Sequence, residues 1–246
     1  IKMYDGPAGV LYPKDTTNPP QEQMLAATWD ESMAEQYGEA VGNENVAIGG
    51  AFLLGAQLDI QRAPQFGRTK DQMGEDPYLL SSMADDLVNG MQKNGGIAVL
   101  KHYAAFAQNA TPGTSTNVSV SEQALHEIYL PGFESAIKDG EALGLMSSYN
   151  AINGTMASAN TYLQLDVLRG MWNYKYFSVT DWGGNDGYTL NKGTDIEMPS
   201  LSNNSQAKTD EQVAAGKMTR EEADQTVDEA VSRVLRAYGR GGYLTL

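Results

Sequence analysis

The chain has 246 residues, enough for one large α/β domain or two small ones. Its formal charge of −14 argues against nucleic acid and anionic membranes as partners, and the absence of cysteine excludes disulfides and thiolate zinc sites. Two histidines are too few for most histidine-based metal centres, and no apolar run approaches the roughly 18–20 residues of a membrane span, so no metal, cofactor or membrane is expected.

The chain begins at Ile1 rather than Met and shows no signal-peptide pattern, so we expect a segment removed ahead of it. Ile1 to Tyr4 reads as the end of a strand, and Asp5-Gly6-Pro7-Ala8-Gly9 as a turn. Asp5 alone is better read as a turn residue than as a functional one. After a polar, Pro-rich loop, Asp30 has the character of an N-cap for a helix to about Glu44. Ala51 to Ile60 holds a second strand, followed by a loop carrying Arg62 and Arg68. Asp76 and Pro77 read as N-cap and first helical residue of a helix to about Lys93, which gives Asp76 a structural role.

Ile97 to Leu100 is a short apolar strand with Lys101 and His102 at its C-terminal end. This pair suits a grip on sugar hydroxyls or an anion, and equally an interior Lys paired with a carboxylate. Asn109 to Ser121 reads as an exposed loop, and Ser121 caps a helix to about Asp139. His126 lies on that helix and is read as surface or packing. Leu143 to Ser148 is the fourth strand, followed by Tyr149 and Asn150; Asn153-Gly154 is a tight turn. A helix from about Thr161 to Met171 leads to the strand Phe177 to Thr180, which ends on Asp181, Trp182 and two glycines. A carboxylate at the C-terminal mouth of a buried strand is where parallel α/β folds place reactive groups. On position alone, Asp181 serves equally well as a cap of the next helix.

Asn185 to Leu190 reads as a short helix, Gly193 to Pro199 as a sixth strand, and Leu201 to Gly216 as a polar stretch. Thr219 and Glu222 form a capping box for the last helix. Strands alternating with helices predict a mostly parallel sheet. The polar groups at strand ends are Asp5, Arg62 and Arg68, Lys101 and His102, Tyr149 and Asn150, Asp181, then Asp195 and Glu197. In a (β/α) barrel those ends meet at one mouth.

Eight segments together, in order, resemble glycoside hydrolase family 3, the family of many β-glucosidases and β-xylosidases. They are Asp5 to Gly9, Ala26 to Asp30, Gly67-Arg68 with Gly74 to Pro77, Lys101 to Tyr103, Glu127 to Pro131, Met146 to Asn150 with Asn153-Gly154, Val179 to Gly184, and Glu197 to Pro199. The resemblance covers nearly the whole chain. It implies an α/β fold of (β/α)8 TIM-like barrel type, a single domain over residues 1–246. Six strands are counted where eight are needed, so the barrel is expected to be incomplete at its N-terminus. The second α/β sandwich domain usual in the family is expected to be absent.

The implied function is that of a retaining exo-β-glycosidase acting on β-linked glucosides, with β-linked oligosaccharides or aryl and alkyl glycosides as substrates. Asp181 looks like the nucleophile and Tyr149 like the hydroxyl that orients it. Asp5, Arg68, Lys101 and His102 look like the groups that hold the sugar hydroxyls, with Arg62 assisting and Trp182 as a wall of the pocket. The chemistry needs one ionised carboxylate to attack and a second carboxyl about 5–5.5 Å away as acid, then base. In most of the family that second group comes from the following domain, and in one branch from a loop His. Neither His102 nor His126 fits that role, and Gln108 to Ser119 holds no His or carboxylate. The acid/base is therefore expected from another domain or a partner chain. Asp71 stands where the family usually has Glu. Two alternatives accompany this reading, a sugar-binding barrel remnant without catalysis and, less favoured, a β-N-acetylhexosaminidase. The resemblance favours a secreted or periplasmic setting without assigning one.

Overall fold

The computed structural model describes residues 2–6, 8–11, 15–107 and 116–244. Pro7 and most of the Asn109 to Ser121 loop lie outside the described residues.

Five strands form one parallel sheet in chain order: β1 (Lys2–Asp5), β2 (Gly50–Leu54), β3 (Ile97–Tyr103), β4 (Gly144–Ser147) and β5 (Phe177–Thr180). A parallel bridge between Val179 and Ile196 adds a sixth position at the β5 edge. The sheet curls as an incomplete TIM-like barrel, in line with the fold read from the sequence. Parallel strands are apolar on both faces because both are covered. Phe52, Val99, Phe177 and Val179 face one side, while Leu53, Ala98, Leu100 and Leu145 face the other. Each such buried Leu or Phe contributes roughly 1.5–3 kcal/mol.

Helices α1 (Glu22–Ala26) and α2 (Glu31–Ala47) lie between β1 and β2, α3 (Pro77–Gln92) between β2 and β3, and α4 (Pro131–Lys138) between β3 and β4. The helical segment between β4 and β5, Tyr162–Met171, is wound as a π-helix. Asp30, Asp76 and Ser121 accept N-terminal backbone N–H groups as the sequence predicts. The predicted helix after Ser121 is not continuous. A short turn, Glu122–Ala124, widens into a π-type turn over Leu125–Tyr129 before Pro131 restarts it as α4. Helices α2 and α3 cross at backbone contact. A Cβ on Gly38 would lie 2.2 Å from the Leu87 carbonyl oxygen, and one on Gly90 2.1 Å from that of Glu35.

The C-terminal part contains α5 (Gln206–Ala214) and α6 (Arg220–Arg240). Helix α6 opens with the Thr219–Glu222 capping box and packs Val234, Ala237 and Tyr238 on the Phe52 and Phe177 face of the sheet. Among the described residues, no helix is long and apolar enough to cross a membrane.

Several expectations are corrected here. The second strand stops at Leu54, and residues 55–60 run on as buried chain in which Gln57 pairs through a single parallel bridge with Lys101. Asn185 to Leu190 is not a helix; a single 3-10 turn forms at Leu190–Lys192. Within Gly193 to Pro199 only Ile196 pairs as a strand residue. The polar stretch 201–216 contains helix α5. A two-stranded hairpin, Ala151–Ile152 with Thr155–Met156, forms around the Asn153-Gly154 turn and is joined by Asn117–Val118.

Asp195 and Glu197 do not join the mouth of the sheet as active groups. Asp195 accepts from Arg169 Nη2 at 3.1 Å, Arg233 Nη1 at 2.8 Å and the Ser178 N–H at 2.8 Å. Glu197 accepts from the Asn203 and Asn204 N–H groups at 2.8 and 2.9 Å and from Asn203 Nδ2 at 2.9 Å. Each carboxylate sits inside a strand-like segment because it ties neighbouring elements together, which answers the cost of burying it.

Candidate active site

The C-terminal ends of β1, β3 and β5 bring Asp5, Lys101, His102 and Asp181 to one side of the sheet. Lys101 is buried on β3, and its Nζ forms an ion pair with the Asp5 carboxylate at the end of β1. His102 follows Lys101 through a cis peptide bond and is buried. Its Nε2 lies 3.5 Å from Asp181 Oδ2.

Arg68 comes from the loop after β2. Its Nη1 lies 3.2 Å from His102 Nε2, its Nη2 donates to Gln57 Oε1 at 2.7 Å, and its Nε donates to Asp71 Oδ2 at 3.2 Å. The guanidinium also sits over the Phe106 ring, 6.0 Å from its centroid. All three nitrogens of the Arg68 head are thus engaged, which fixes its position.

Asp181 follows directly on β5. The Trp182 N–H donates to its Oδ1 at 2.7 Å, while its Oδ2 is buried and takes no hydrogen bond of good geometry. Burial pushes the Asp181 carboxyl up; the Trp182 N–H, the Tyr149 hydroxyl, Lys101 and Arg68 pull it back toward the ionised form. Burial, then the Asp181 charge and a hydrogen bond to it, push the Tyr149 phenol up. The Tyr149 phenol beside Asp181 is thus held in its protonated form. Trp182 is 38% exposed beside this group.

Arg62 is placed differently. Its Nη1 donates to the Tyr129 hydroxyl at 2.8 Å and its guanidinium lies over the same ring, 5.7 Å from the centroid. It lines a cleft with Ala105, Ala107 and Val118 that none of Asp5, Arg68, Lys101, His102 or Asp181 lines. His126 bonds the Tyr162 hydroxyl at 2.7 Å on the helical layer, as a packing residue.

Three polar residues behind the site escaped the sequence reading. Asp59 Oδ2 lies 2.7 Å from His102 Nδ1, and Asp59 Oδ1 accepts the His102 N–H at 3.2 Å. Gln57 holds Arg68. Glu22 is fully buried and accepts the Gln57 N–H at 3.2 and 3.4 Å. Among the described residues the β1–β2 pairing ends at Asp5 with Leu54, and the Gln57 N–H is met by the Glu22 carboxyl. The available signal was Asp59 as a single carboxylate within Leu58-Asp59-Ile60, since a lone acid in an apolar run is costly without a partner. Burial raises the Glu22 and Asp59 carboxyls well above their usual range. Among the described residues, no group of three or more His, Asp or Glu side chains has the arrangement to hold a metal ion.

A buried carboxylate with one free oxygen, ringed by Lys, Arg, His and Tyr and edged by Trp, can attack an electrophilic carbon while its neighbours grip hydroxyls. Known proteins similar to this chain include named β-glucosidases. β-Glucosidase B of Emericella nidulans is 39% identical over 242 residues, covering 96% of this chain and 28% of the relative. A thermostable β-glucosidase B of Acetivibrio thermocellus is 35% identical over 250 residues, covering 96% of this chain and 32% of the relative. The solved structure of β-glucosidase 3B from Thermotoga neapolitana with α-D-glucose superposes with a TM-score of 0.88 at 32% identity, over 98% of this chain and 36% of that one. The chain thus spans about a third of the length of these relatives. The model of the glycosyl hydrolase family 3 N terminal domain matches residues 4–237, and the chain belongs to that family.

Proposed function

We propose that this chain is the barrel portion of a retaining exo-β-glycosidase that hydrolyses β-linked glucosides through a covalent glycosyl-enzyme on Asp181. The observation that carries the reading is the state of Asp181. One oxygen is pinned by the Trp182 N–H and the other is buried and unengaged at the mouth of β5. Asp181 Oδ2 attacks the anomeric carbon as the leaving group departs, and water later releases the sugar. Lys101 and Arg68 favour the ionised nucleophile, and Tyr149 orients it. Asp5, Lys101, Arg68 and His102 hold the hydroxyls of the terminal sugar, with Trp182 as an apolar wall. Arg62 acts from its cleft beside Tyr129.

The acid/base carboxyl is assigned to a further domain or a partner chain. Asp59 is enclosed behind His102, and Glu22 behind Gln57, so neither reaches a leaving group. The test is hydrolysis of aryl β-glucosides with leaving groups of graded acidity. Activated aryl glucosides, which need little protonation, are cleaved faster than unactivated ones, and Asp181→Asn abolishes turnover. Equal rates of aryl release by the wild type and Asp181→Asn would refute the reading.

A further inference from the structure

We propose that Asp59 is a positioning residue that locks His102 as the neutral Nδ1–H tautomer, so that Nε2 accepts from Arg68 and holds that guanidinium at the sugar pocket. The consequence for sugar binding rests on the function proposed above; the tautomer itself does not.

The geometry allows one consistent assignment of protons. Arg68 is always charged and carries donors only. Its Nη1 lies 3.2 Å from His102 Nε2, so that nitrogen must offer its lone pair. The remaining ring proton then sits on Nδ1 and is donated to Asp59 Oδ2 at 2.7 Å. Asp59 Oδ1 already accepts the His102 backbone N–H at 3.2 Å, so both carboxylate oxygens receive a donor from the same residue. Which imidazole nitrogen holds the proton is set by the partner of the other nitrogen. Here both partners demand the same tautomer.

An imidazolium would point an Nε2–H at the Arg68 donor, and burial with the Arg68 and Lys101 charges opposes it. The charged and titratable groups facing the ring are Asp59, Asp181, Arg68 and Lys101. Phe106 lies against the ring, 4.8 Å between centroids, and Phe66 packs on Phe106 at 5.2 Å, which limits access of water.

The lone pair has a further neighbour. Asp181 Oδ2 is 3.5 Å from Nε2 and takes no hydrogen bond of good geometry. Arg68 already satisfies Nε2, so Oδ2 is the acceptor that still needs a donor. A hydroxyl of a sugar held against Asp181 is such a donor. The site therefore selects a sugar that presents an O–H at this point and discriminates against the deoxy analogue, which leaves Oδ2 unpaired.

The test is the two-bond ¹H–¹⁵N imidazole spectrum of the full chain labelled at histidine. With two histidines, His102 and His126, it contains two ring systems, and a His126→Gln variant assigns them. The wild type should show His102 as the Nδ1–H tautomer at neutral pH. In Asp59→Asn the carboxamide oxygen keeps the backbone N–H and its NH2 faces Nδ1, so His102 should lose its exclusive Nδ1–H state and Nε2–H should appear beside it, Arg68 still opposing full conversion. Affinity for a glucose-like iminosugar should then fall about tenfold, the size of one lost hydrogen bond. A wild-type His102 that carries its proton on Nε2, or on both nitrogens, overturns the proposal even if the variant fails to fold. So does an Asp59→Asn spectrum that stays Nδ1–H. These readouts are independent of hydrolysis, so a chain without turnover but with the expected tautomer contradicts only the functional reading.

Discussion

Lys101 and Asp5 form an ion pair across the mouth of the sheet, from strands β3 and β1, with β2 between them. They are 96 residues apart in the chain. Lys101 is buried and the Asp5 side chain is 37% exposed. Lys101→Met should cost about 1.5–3 kcal/mol, the range for a hydrogen bond to a charged group. Urea denaturation checks this, and the double variant with Asp5→Asn should lose less than the sum of the two single changes.

Gly38 and Gly90 make the α2–α3 crossing possible. Alanine is the better helix former by about 1 kcal/mol. Gly38→Ala should nonetheless destabilise by about 1–3 kcal/mol, because its Cβ meets the Leu87 carbonyl oxygen and two backbones must move apart. Thermal unfolding of Gly38→Ala beside the wild type measures it. A gain in Tm would contradict the packing described here.

Glu22 gives a pH signature. Burial raises its folded-state pKa well above the ordinary 4.5. Between the unfolded and folded values the native state binds the extra proton, so stability is greatest at or below about pH 4.5 and declines as pH rises through the folded value. Glu22→Gln keeps an acceptor for the Gln57 N–H and removes the ionisation. Its stability relative to the wild type should therefore grow with pH, by up to about 1.4 kcal/mol per pH unit in that interval. Denaturation series of both proteins from pH 5 to 8 test the slope; parallel curves would remove Glu22 as a titrating group.

The main lines of the fold were legible because parallel β/α units announce themselves locally. Apolar runs such as Ile97 to Leu100 and Phe177 to Thr180 can be read as strands, and Asp30, Asp76 and Thr219 mark helix starts by their own hydrogen bonds. The residues that meet at the mouth were legible as strand-end polar groups, Asp5, Lys101, His102 and Asp181. What lay beneath them was not. Asp59, Gln57 and Glu22 act through partners distant in sequence, and no local pattern encodes a contact between Glu22 and Gln57. Asp195 misled for the same reason, because its two arginine partners lie 26 and 38 residues away. Helix α5 was hidden by its polarity, since only Thr209 of that helix is buried.

Asp195 is accordingly a stability residue. Burial raises its carboxyl, and Arg169 and Arg233 pull it back toward the charged form. Asp195→Asn should cost roughly 3–5 kcal/mol, since it leaves two arginines around a neutral amide. Iminosugar affinity measured below the unfolding transition should stay unchanged. A selective loss of affinity at full stability would return Asp195 to the sugar site.

The most direct test of the covalent role of Asp181 is trapping. A 2-deoxy-2-fluoro-β-glucoside with a highly activated aryl leaving group needs little acid assistance to form a glycosyl-enzyme and slows its breakdown. Mass spectrometry of the digested chain after incubation should show one fluoroglucosyl unit on the peptide containing Asp181, and none in Asp181→Asn. An adduct on another residue, or an equal adduct on Asp181→Asn, would contradict the account, and so would release of the aryl group with no covalent sugar on the wild type.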